Sequence, residues 1–495
     1  MRKAATLLFI GNFISKLLGF GREIIVAALF GTGQVIGAFR VAQAGTAVPI
    51  NFLTSDSLNS AFIPLYKKYQ NESSTKAQSL FFILLGVFSA LSLLLTLGLW
   101  FAAKPWVTLL APGLETETAE LAAAMIQIMG LGIPFYIFSA LFNFLSVAHN
   151  DFSPMAVRPI IQNIGLIGGA LTAYILNDAL YFAWSFAASF AIFSIWNICR
   201  ASAIGHVRWP KQINWPESKG LLKAFWLTLR PLLLLPFFLQ GNIVVERMVA
   251  SLISLAAISS LDYARFITET MILLISVPIA FAGLSQWSGL DSETVKNKLQ
   301  KILSVLLIIS IPISLFLSIH ADLVVRIFYT RGAFDAESTR ITADILLGTS
   351  VGLWAQVIGY VLIKGLNAQL RNRTVLWIMI AALLANVLFN LAMHPYLGAI
   401  TLGLGNTAYS LILLAGTLTS LKLWRDFINR SRVIALGGIG YLLISYYLPS
   451  STNIWKELAI VMVFAACYWM LWICLVPSLR TVLVGILKQK RGESV

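Results

Sequence analysis

Long apolar runs separated by short polar connections make up most of the chain. Six of these runs carry no charged residue and are long enough to cross the hydrocarbon layer of a membrane, which takes about 20 apolar residues. We therefore interpret them as membrane spans. They lie at 80–103, 121–148, 179–199, 374–393, 395–421 and 458–479.

Weaker apolar segments between these runs complete the pattern of an all-α polytopic membrane protein with about fourteen transmembrane helices. Hydrophobic residues make up 58% of the sequence and charged residues 12%, whereas soluble domains carry roughly 25% charged residues. The first helix carries charges and has no small-residue cleavage pattern, so we expect no removable signal peptide. The predicted helices lie at 4–30, 34–66, 77–103, 117–148, 153–176, 179–205, 219–250, 254–288, 294–320, 338–367, 372–393, 396–422, 432–449 and 456–487.

Basic residues are concentrated in every second connection between the predicted helices. The formal net charge is +15, and its distribution follows the positive-inside rule, by which cytoplasmic connections are rich in lysine and arginine. The basic surface therefore needs no nucleic-acid partner. Both chain ends are basic and the number of crossings is even, so both are predicted in the cytoplasm. The basic clusters are Arg2 and Lys3; Lys67, Lys68 and Lys76; Arg200, Arg208, Lys211, Lys219 and Lys223; Lys296, Lys298 and Lys301; Lys364, Arg371 and Arg373; Lys422, Arg425, Arg430 and Arg432; and Lys488, Lys490 and Arg491.

The longest polar connection divides the chain near its middle and is predicted to be a cytoplasmic linker at 206–218. It separates an N-terminal six-helix lobe at 1–205 from a C-terminal six-helix lobe at 219–424. Two additional transmembrane helices follow at 425–495. Transporters are often built from two such halves.

Ionised side chains lie inside several of the predicted spans. At mid-membrane each costs roughly 2.5–3.5 kcal/mol on the insertion scale, so such residues are expected only where protein or water surrounds them. Cations predominate, and a cavity lined by cations suits an anionic ligand, because arginine matches phosphate with its planar fork of donors. The residues concerned are Lys16, Arg22 and Glu23 in the first helix, Arg40 in the second, Arg230, Glu246 and Arg247 in the seventh, and Asp262, Arg265 and Glu269 in the eighth.

Carboxylates among these residues allow a purely structural explanation of the buried cations. Asp262, Arg265 and Glu269 share one helix face, so Arg265 is either neutralised by its neighbours or turned toward a ligand. Glu23 is expected to offset Lys16, which lies two turns away on the same face. Both explanations stay open from the sequence alone.

Glycine and proline also fall in the charged helices and are expected to interrupt them. Breaks at membrane depth are tolerated where they line a cavity, so their coincidence with buried charges indicates a transport pathway. The residues are Gly19 and Gly21 in the first helix, Pro49 in the second, and Pro231 and Pro236 in the seventh.

Short motifs occur along nearly the whole chain. The first helix contains Ser-Lys-Leu-Leu-Gly-Phe-Gly-Arg-Glu at 15–23 and Ala-Ala-Leu-Phe-Gly at 27–31, and the most specific motif is Arg-Gly-Ala-Phe-Asp-Ala at 331–336. Together the motifs resemble the MurJ/MviN family of lipid II flippases, within the multidrug/oligosaccharidyl-lipid/polysaccharide exporter superfamily. Further matching positions are 60–64, 111–113, 150, 152, 154, 159–163, 246–247, 250–251 and 261–265.

The resemblance implies a flippase that moves an undecaprenyl-pyrophosphate-linked saccharide from the cytoplasmic to the periplasmic leaflet of the bacterial inner membrane, for cell-wall or cell-surface glycan synthesis. It implies two lobes that open a cationic cavity to each side in turn, and a groove for the lipid tail formed by the last two helices. By the same resemblance Arg22 and Arg265 hold the pyrophosphate, and Lys16 stands where the family usually has arginine. No cofactor and no metal ion are expected, and the expected partners are the lipid-linked saccharide, membrane lipids and glycan polymerases or glycosyltransferases.

Two positions depart from the family pattern. Gly37 stands where the family usually has an acidic residue, and Asn51 falls near the position of a second-helix arginine. Arg40 compensates for the missing charge if it points inward. The substrate is therefore either lipid II or another lipid-linked oligosaccharide, such as a repeat unit of an exopolysaccharide, a capsule or an O-antigen. The predicted substrate-binding residues are Lys16, Arg22, Arg40, Asn51, Arg247 and Arg265, with Glu23, Glu246, Asp262 and Glu269 as the supporting charge network.

Two other functions fit the sequence less well than a flippase does. A membrane glycosyltransferase needs carboxylates at a membrane face or a sizeable catalytic loop, but the loops are short and the four histidines form no metal-ligand or nucleophile pattern. A drug antiporter of the same superfamily favours acidic residues in its cavity, whereas bases predominate here. The three cysteines, Cys199, Cys467 and Cys474, lie in apolar stretches without disulfide or metal-ligand spacing.

Overall fold

The computed structural model describes residues 2–54, 56–207, 215–449, 451–477 and 479–481. Within these ranges the chain forms twenty α-helices and one 3-10 helix at Arg230–Leu232, which confirms the predicted all-α class. The α-helices are α1 (Arg2–Phe30), α2 (Gln34–Thr54), α3 (Asp56–Glu72), α4 (Ser74–Phe101), α5 (Ala103–Leu110), α6 (Thr116–Gly130), α7 (Ile133–Ala148), α8 (Ser153–Leu176), α9 (Leu180–Ala203), α10 (Trp215–Leu229), α11 (Leu234–Ile253), α12 (Leu255–Trp287), α13 (Ser292–Ile319), α14 (Ala321–Phe328), α15 (Ala336–Val351), α16 (Leu353–Ala368), α17 (Asn372–Leu397), α18 (Ile400–Leu421), α19 (Trp424–Ser445) and α20 (Ile454–Leu475).

Three of the predicted spans are pairs of helices bent at a short break. The bend is 46° between α6 and α7, 53° between α10 and α11, and 49° between α15 and α16. The 3-10 turn around Pro231 lies at the second of these bends, as expected for a proline that cannot donate a helical hydrogen bond. Gly132 and Gly352 lie at the other two.

Helices α1 and α2 are continuous, contrary to the interruptions predicted there. α1 runs unbroken through Gly19 and Gly21, and α2 runs through Pro49. Glycine inside a helix costs about 1 kcal/mol, and an interior proline costs about 3 kcal/mol through a lost hydrogen bond and a clash with the preceding turn. Both costs are small enough for packing of the helix against its neighbours to outweigh them.

Membrane crossing is supported by the length and composition of the helices. In the described part of the chain nine helices are long and apolar enough to cross a membrane, and twelve spans result if each bent pair counts as one. The predicted first and second spans, which correspond to α1 and to α2 with α3, are not among these. The count of fourteen and the cytoplasmic position of both ends stay predictions.

Contacts between residues divide the chain into two units. Unit 1 comprises the described residues of Met1–Ser259 together with Arg331–Asp335, and unit 2 comprises Ser260–Thr330 and the described residues after Asp335. This division falls after Ser259, whereas the predicted lobes are separated by the linker at 206–218, of which 208–214 lie outside the described residues. The division into two six-helix lobes and two further helices therefore stays a prediction.

Small residues bring helices into close contact in both units. In unit 1 a Cβ atom added to Gly165 of α8 would lie 1.9 Å from Oγ of Ser189 on α9, and one added to Gly169 would lie 1.8 Å from Oγ of Ser185. In unit 2 a Cβ atom on Gly348 of α15 would lie 2.7 Å from the backbone oxygen of Ile400 on α18. Helices in membranes associate in this way because small side chains let their backbones approach closely.

The loop at 331–335, which carries the most specific sequence motif, packs against the end of α1 in unit 1. The backbone N–H of Ala333 donates to the carbonyl of Ala28 at 2.9 Å. Gly31 and Gly332 both adopt the left-handed conformation, with φ of +58° and +59°. A Cβ on Gly31 would lie 2.3 Å from the Ala333 oxygen, and one on Gly332 would lie 2.2 Å from the Ala28 oxygen. Both glycines are therefore required by the close backbone contact.

Gly332→Ala is expected to lower the thermal stability of the purified chain more than Gly289→Ala does. Both glycines have a positive φ, where an L-residue costs about 1–2 kcal/mol. Only the new methyl group at 332 would meet backbone, because nothing lies within 4 Å of the Cβ position at Gly289. Thermal unfolding in detergent measures the difference, and equal midpoints for the two variants would contradict the packing described here.

A histidine pair lies where α7 and α9 end. The rings of His149 and His206 are stacked, with centroids 4.4 Å apart, and Arg200 forms an ion pair with Asp151 at 3.1 Å. Gln78 on α4 donates to the backbone oxygen of His206 at 3.0 Å. Burial lowers the pKa of His206 below its ordinary value of 6.5, the nearby His149 and Arg200 lower this pKa further, and Asp151 opposes the shift.

Thermal stability is expected to fall as the pH decreases through 6.5, because the unfolded chain then binds a proton that the folded chain resists at His206. The contribution of neutral His206 to stability is present above pH 6.5 and is lost on acidification. Thermal unfolding midpoints measured across this range for wild type and His206→Gln test it, with His394→Gln as a control outside the pair. The same pH dependence in wild type and His206→Gln would rule out this role for His206.

Candidate anion-binding site

An ion-paired cluster joins α1 to α2 inside unit 1. Glu23 on α1 is 2% exposed and accepts hydrogen bonds from its neighbour Arg22 and from Arg40 on α2. The Nε atom of Arg22 lies 3.2 Å from Oε1 of Glu23. The side chain of Arg40 is 6% exposed and also donates to Oε1 of Gln43 at 3.4 Å. One buried carboxylate thus lies between two guanidinium groups.

Arg22 is the member of this cluster that reaches a cavity. Its side chain is 19% exposed and lines a cavity of about 240 Å³. Nη1 of Arg22 donates to Oδ1 of Asn163 on α8 at 2.9 Å, and Nδ2 of Asn163 donates to the backbone oxygen of Ser15 on α1 at 3.0 Å. The cavity combines a cation with amide side chains and so suits a polar, anionic ligand. Its other lining residues are Gln43, Pro159, Gln162, Leu166, Phe186, Ser189 and Phe190.

Asn51 lies in a second polar contact of unit 1. The hydroxyl of Tyr136 on α7 donates to Oδ1 of Asn51 at 3.5 Å, and the same hydroxyl accepts a hydrogen bond from Nη2 of Arg158 on α8. The guanidinium carbon of Arg158 also lies 4.4 Å from the centre of the Tyr136 ring. Asn51 is thus connected to a guanidinium group through one tyrosine.

Arg247 and Glu246 lie on α11 and are both buried, at 7% and 4% exposed. Nη1 of Arg247 donates to the backbone oxygen of Ile258, at the start of α12, with a distance of 2.8 Å. This carbonyl lies in the first turn of α12, so the contact connects α11 to the helix that follows it. Neither residue lines the cavity around Arg22.

Arg265 and Glu269 lie on α12 and line a smaller cavity of about 50 Å³ in unit 2. Nδ2 of Asn406 on α18 donates to Oε1 of Gln356 on α16 at 3.2 Å, and both of these residues face the same cavity. Four helices, α12, α15, α16 and α18, therefore contribute polar side chains around Arg265. The remaining lining residues are Leu261, Thr268, Ile272, Thr349 and Leu402.

The other predicted site residues lie outside the two cavities. Lys16 on α1 and Asp262 on α12 are half-buried, and neither lines the cavity around Arg22 or the one around Arg265. Asn163 and Arg158 were not predicted from the sequence. Asn163 closes one of the quoted family motifs, and Arg158 is a cation inside a predicted span, so both carried a signal that could have identified them.

Metal-binding side chains are not clustered in the part of the chain that the structure describes. No group of three histidine, cysteine, aspartate or glutamate residues there could hold a metal ion. Cys199, Cys467 and Cys474 are free and exposed. The absence of a cofactor or metal stays a prediction from the sequence.

Glu23→Gln is expected to destabilise the chain by about 3–5 kcal/mol, the usual effect of removing one partner of a buried ion pair. Adding Arg40→Gln should recover part of this loss, because the double variant no longer buries that guanidinium beside a neutral amide. Thermal unfolding of the single and double variants measures the coupling, and Glu117→Gln on the exposed face of α6 is the control. Stability losses that simply add in the double variant would contradict the pairing.

Many apolar helices with cations facing polar cavities define a multi-pass membrane protein of the transporter class. The family model described as lipid II flippase MurJ matches residues 26–484. The chain therefore belongs to the MurJ lipid II flippase family and is a transporter rather than an enzyme. A probable lipid II flippase MurJ of Rhizobium tropici is 23% identical over 434 residues, which cover 85% of this chain and 79% of the relative. The lipid II flippase MurJ of Burkholderia cenocepacia is 23% identical over 82% of this chain and 81% of its own length.

Solved structures show the same fold. A lipid II flippase MurJ in an inward closed conformation superimposes with a TM-score of 0.82 at 22% identity, covering 94% of this chain and 98% of that chain. An inward-facing multidrug resistance MATE family transporter of the MOP superfamily has a TM-score of 0.67 at 14% identity, covering 88% of this chain and 98% of that chain. The predicted resemblance to the family is confirmed by the family model.

Proposed function

We propose that the chain moves an undecaprenyl-pyrophosphate-linked saccharide, lipid II or a related lipid-linked oligosaccharide, from the cytoplasmic to the periplasmic leaflet of the inner membrane. The observation that carries this proposal is Arg22, which lines a polar cavity in a chain that belongs to a flippase family. Relatives are named lipid II flippases, and a pyrophosphate headgroup is the part of such a lipid that bare hydrocarbon excludes.

Electrostatics favour this class of substrate. Moving an ion through hydrocarbon without compensation is prohibitive, whereas fixed guanidinium groups replace water around phosphate oxygens through charge-assisted hydrogen bonds. Arg22 in unit 1 and Arg265 in unit 2 each line a cavity, so each is placed to contact an anion. Lys16, Arg40, Asn51 and Arg247 complete the proposed binding set, and the carboxylates Glu23, Glu246, Asp262 and Glu269 hold these cations in position.

Alternating access accounts for transport in this proposal. The two predicted six-helix lobes would open the cationic site to the cytoplasm and to the periplasm in turn. The last two helices, at 425–495, would form the groove for the lipid tail. α20 fits this role because only Val461 and Trp469 are buried along it, which leaves an apolar surface for acyl chains. Glycan polymerases and glycosyltransferases that make or use the lipid-linked saccharide are the proposed partners.

Arg22→Ala and Arg265→Ala are each expected to reduce flipping by at least about tenfold, since one charge-assisted hydrogen bond is worth roughly 1.5–3 kcal/mol. Proteoliposomes with fluorescent lipid II, read out by accessibility to a membrane-impermeant reductant, measure the rate. Arg373→Ala, at an exposed residue in the first turn of α17, is the control for loss of one positive charge.

Wild-type flipping by both cavity variants would overturn the site assignment. Failure of the wild type to flip lipid II, together with flipping of a pyrophosphate-linked O-antigen or capsule repeat unit, would assign the surface-polysaccharide substrate instead. That outcome would fit Asn51, which brings no charge to the position near which the family usually has an arginine. Failure with every lipid-linked saccharide would overturn the proposed function.

A further inference from the structure

Arg158 is a cation inside a membrane-spanning helix that the proposed site has not yet used. It lies on α8 one residue before Pro159 and is half-buried. Among the described residues its hydrogen-bond and ring contacts are with Tyr136 alone, through a hydrogen bond to the hydroxyl and through the face of the ring. Both residues belong to unit 1.

The charge of Arg158 is not neutralised by a carboxylate, in contrast to other arginines of unit 1. Arg22 and Arg40 share Glu23, and Arg200 forms an ion pair with Asp151. Among the described residues no aspartate or glutamate lies within ion-pair distance of Arg158. A tyrosine ring attracts a guanidinium group only weakly, and it supplies no negative charge to balance Arg158. A bound anion would supply the negative charge that the described residues do not place beside Arg158.

The Arg158–Tyr136 pair lies beside the cavity around Arg22. Pro159 and Gln162, which follow Arg158 on α8, both line that cavity. Tyr136 packs edge-on against Phe190 with ring centroids 4.8 Å apart, and Phe190 is another lining residue. An anion in this cavity would therefore lie near the helices that carry the guanidinium groups of Arg22 and Arg158.

The direction of the hydrogen bonds at the Tyr136 hydroxyl leaves most N–H donors of Arg158 available to a ligand. The Tyr136 hydroxyl gives its proton to Asn51, so its oxygen is left to accept from Arg158. Tyr136 takes one N–H of a group that has five donors in a planar fork. The remaining donors match two oxygens of a phosphate, and Tyr136 fixes the plane of the fork in advance.

We propose that Arg158, oriented by Tyr136 and Asn51, is a further anion-binding residue that holds a phosphate oxygen of the substrate alongside Arg22. This proposal rests on the proposed function and adds a cation from α8 to the site. Asn51 is then a positioning residue, since it acts on the anion through Tyr136.

Binding of farnesyl pyrophosphate to the full chain in detergent, compared with binding of uncharged farnesol, tests this role. Arg158→Gln should raise the Kd for farnesyl pyrophosphate roughly tenfold, the effect of about one charge-assisted hydrogen bond, and should leave the Kd for farnesol unchanged. Arg158→Lys should recover part of the affinity, since it restores charge without the fork. Arg373→Gln should bind both lipids as the wild type does.

A second-site variant separates binding from folding. Position 51 is one hydrogen bond away from the hydroxyl that contacts Arg158, so Asn51→Arg should place a guanidinium group near the same point. In the Arg158→Gln background this change is expected to restore binding of farnesyl pyrophosphate. Unfolding midpoints within the error of the wild type would show that both variants are folded.

Each possible result has a defined meaning. Wild-type affinity of Arg158→Gln for farnesyl pyrophosphate overturns the inference and leaves the proposed function standing, provided that Arg22→Ala still reduces flipping as predicted above. Equal weakening of farnesyl pyrophosphate and farnesol shows a structural role and also overturns it. If the wild type neither binds farnesyl pyrophosphate nor flips any lipid-linked saccharide, the proposed function fails, and the role of Arg158 fails with it.

Discussion

The pairing of one buried carboxylate with two guanidinium groups is the interaction on which the proposed site depends. Glu23 is 2% exposed and contacts Arg22 on its own helix and Arg40 on the next. Without Glu23, α1 and α2 would bury the positive charges of Arg22 and Arg40 in an apolar surrounding, where the repulsion between them adds to the cost of desolvation. With it, Arg40 is fixed between α1 and α2, and Arg22 keeps one face toward the cavity. The carboxylate therefore positions the cation that we expect to meet the substrate.

Close helix packing gives the two cavities their shape. Ser189 on α9 lines the cavity around Arg22. It also packs directly against Gly165 on α8, where a larger residue would not fit. In unit 2, Thr349 and Leu402 line the cavity around Arg265 and are the sequence neighbours of Gly348 and Gly403, where α15 and α18 are in close contact. Small residues thus hold the walls at a fixed separation while adjacent positions carry the polar groups.

The family pattern and the contacts in this chain both favour an anionic ligand, but they provide the positive charge from different positions. The family pattern supplies a second-helix arginine near the position where this chain has Asn51. Here Tyr136 connects Asn51 to Arg158 on α8, so positive charge reaches the same neighbourhood from a different helix. A site of this kind can keep its electrostatic character while individual positions change, because an anion responds to the location of charge and not to the helix that provides it.

The sequence by itself determined the helices, their approximate limits and the family, because apolar runs must cross the membrane as helices and the motifs are local in the chain. It also identified most buried charges, since an ionised residue in an apolar run is visible without a structure. Only the tertiary structure decided their partners: Glu23 contacts Arg22 and Arg40, and Arg158 contacts Tyr136 with no carboxylate of the described chain within ion-pair distance. The physical reason is that ion pairs and cavities join side chains from helices far apart in sequence, whose rotation and depth no local pattern specifies.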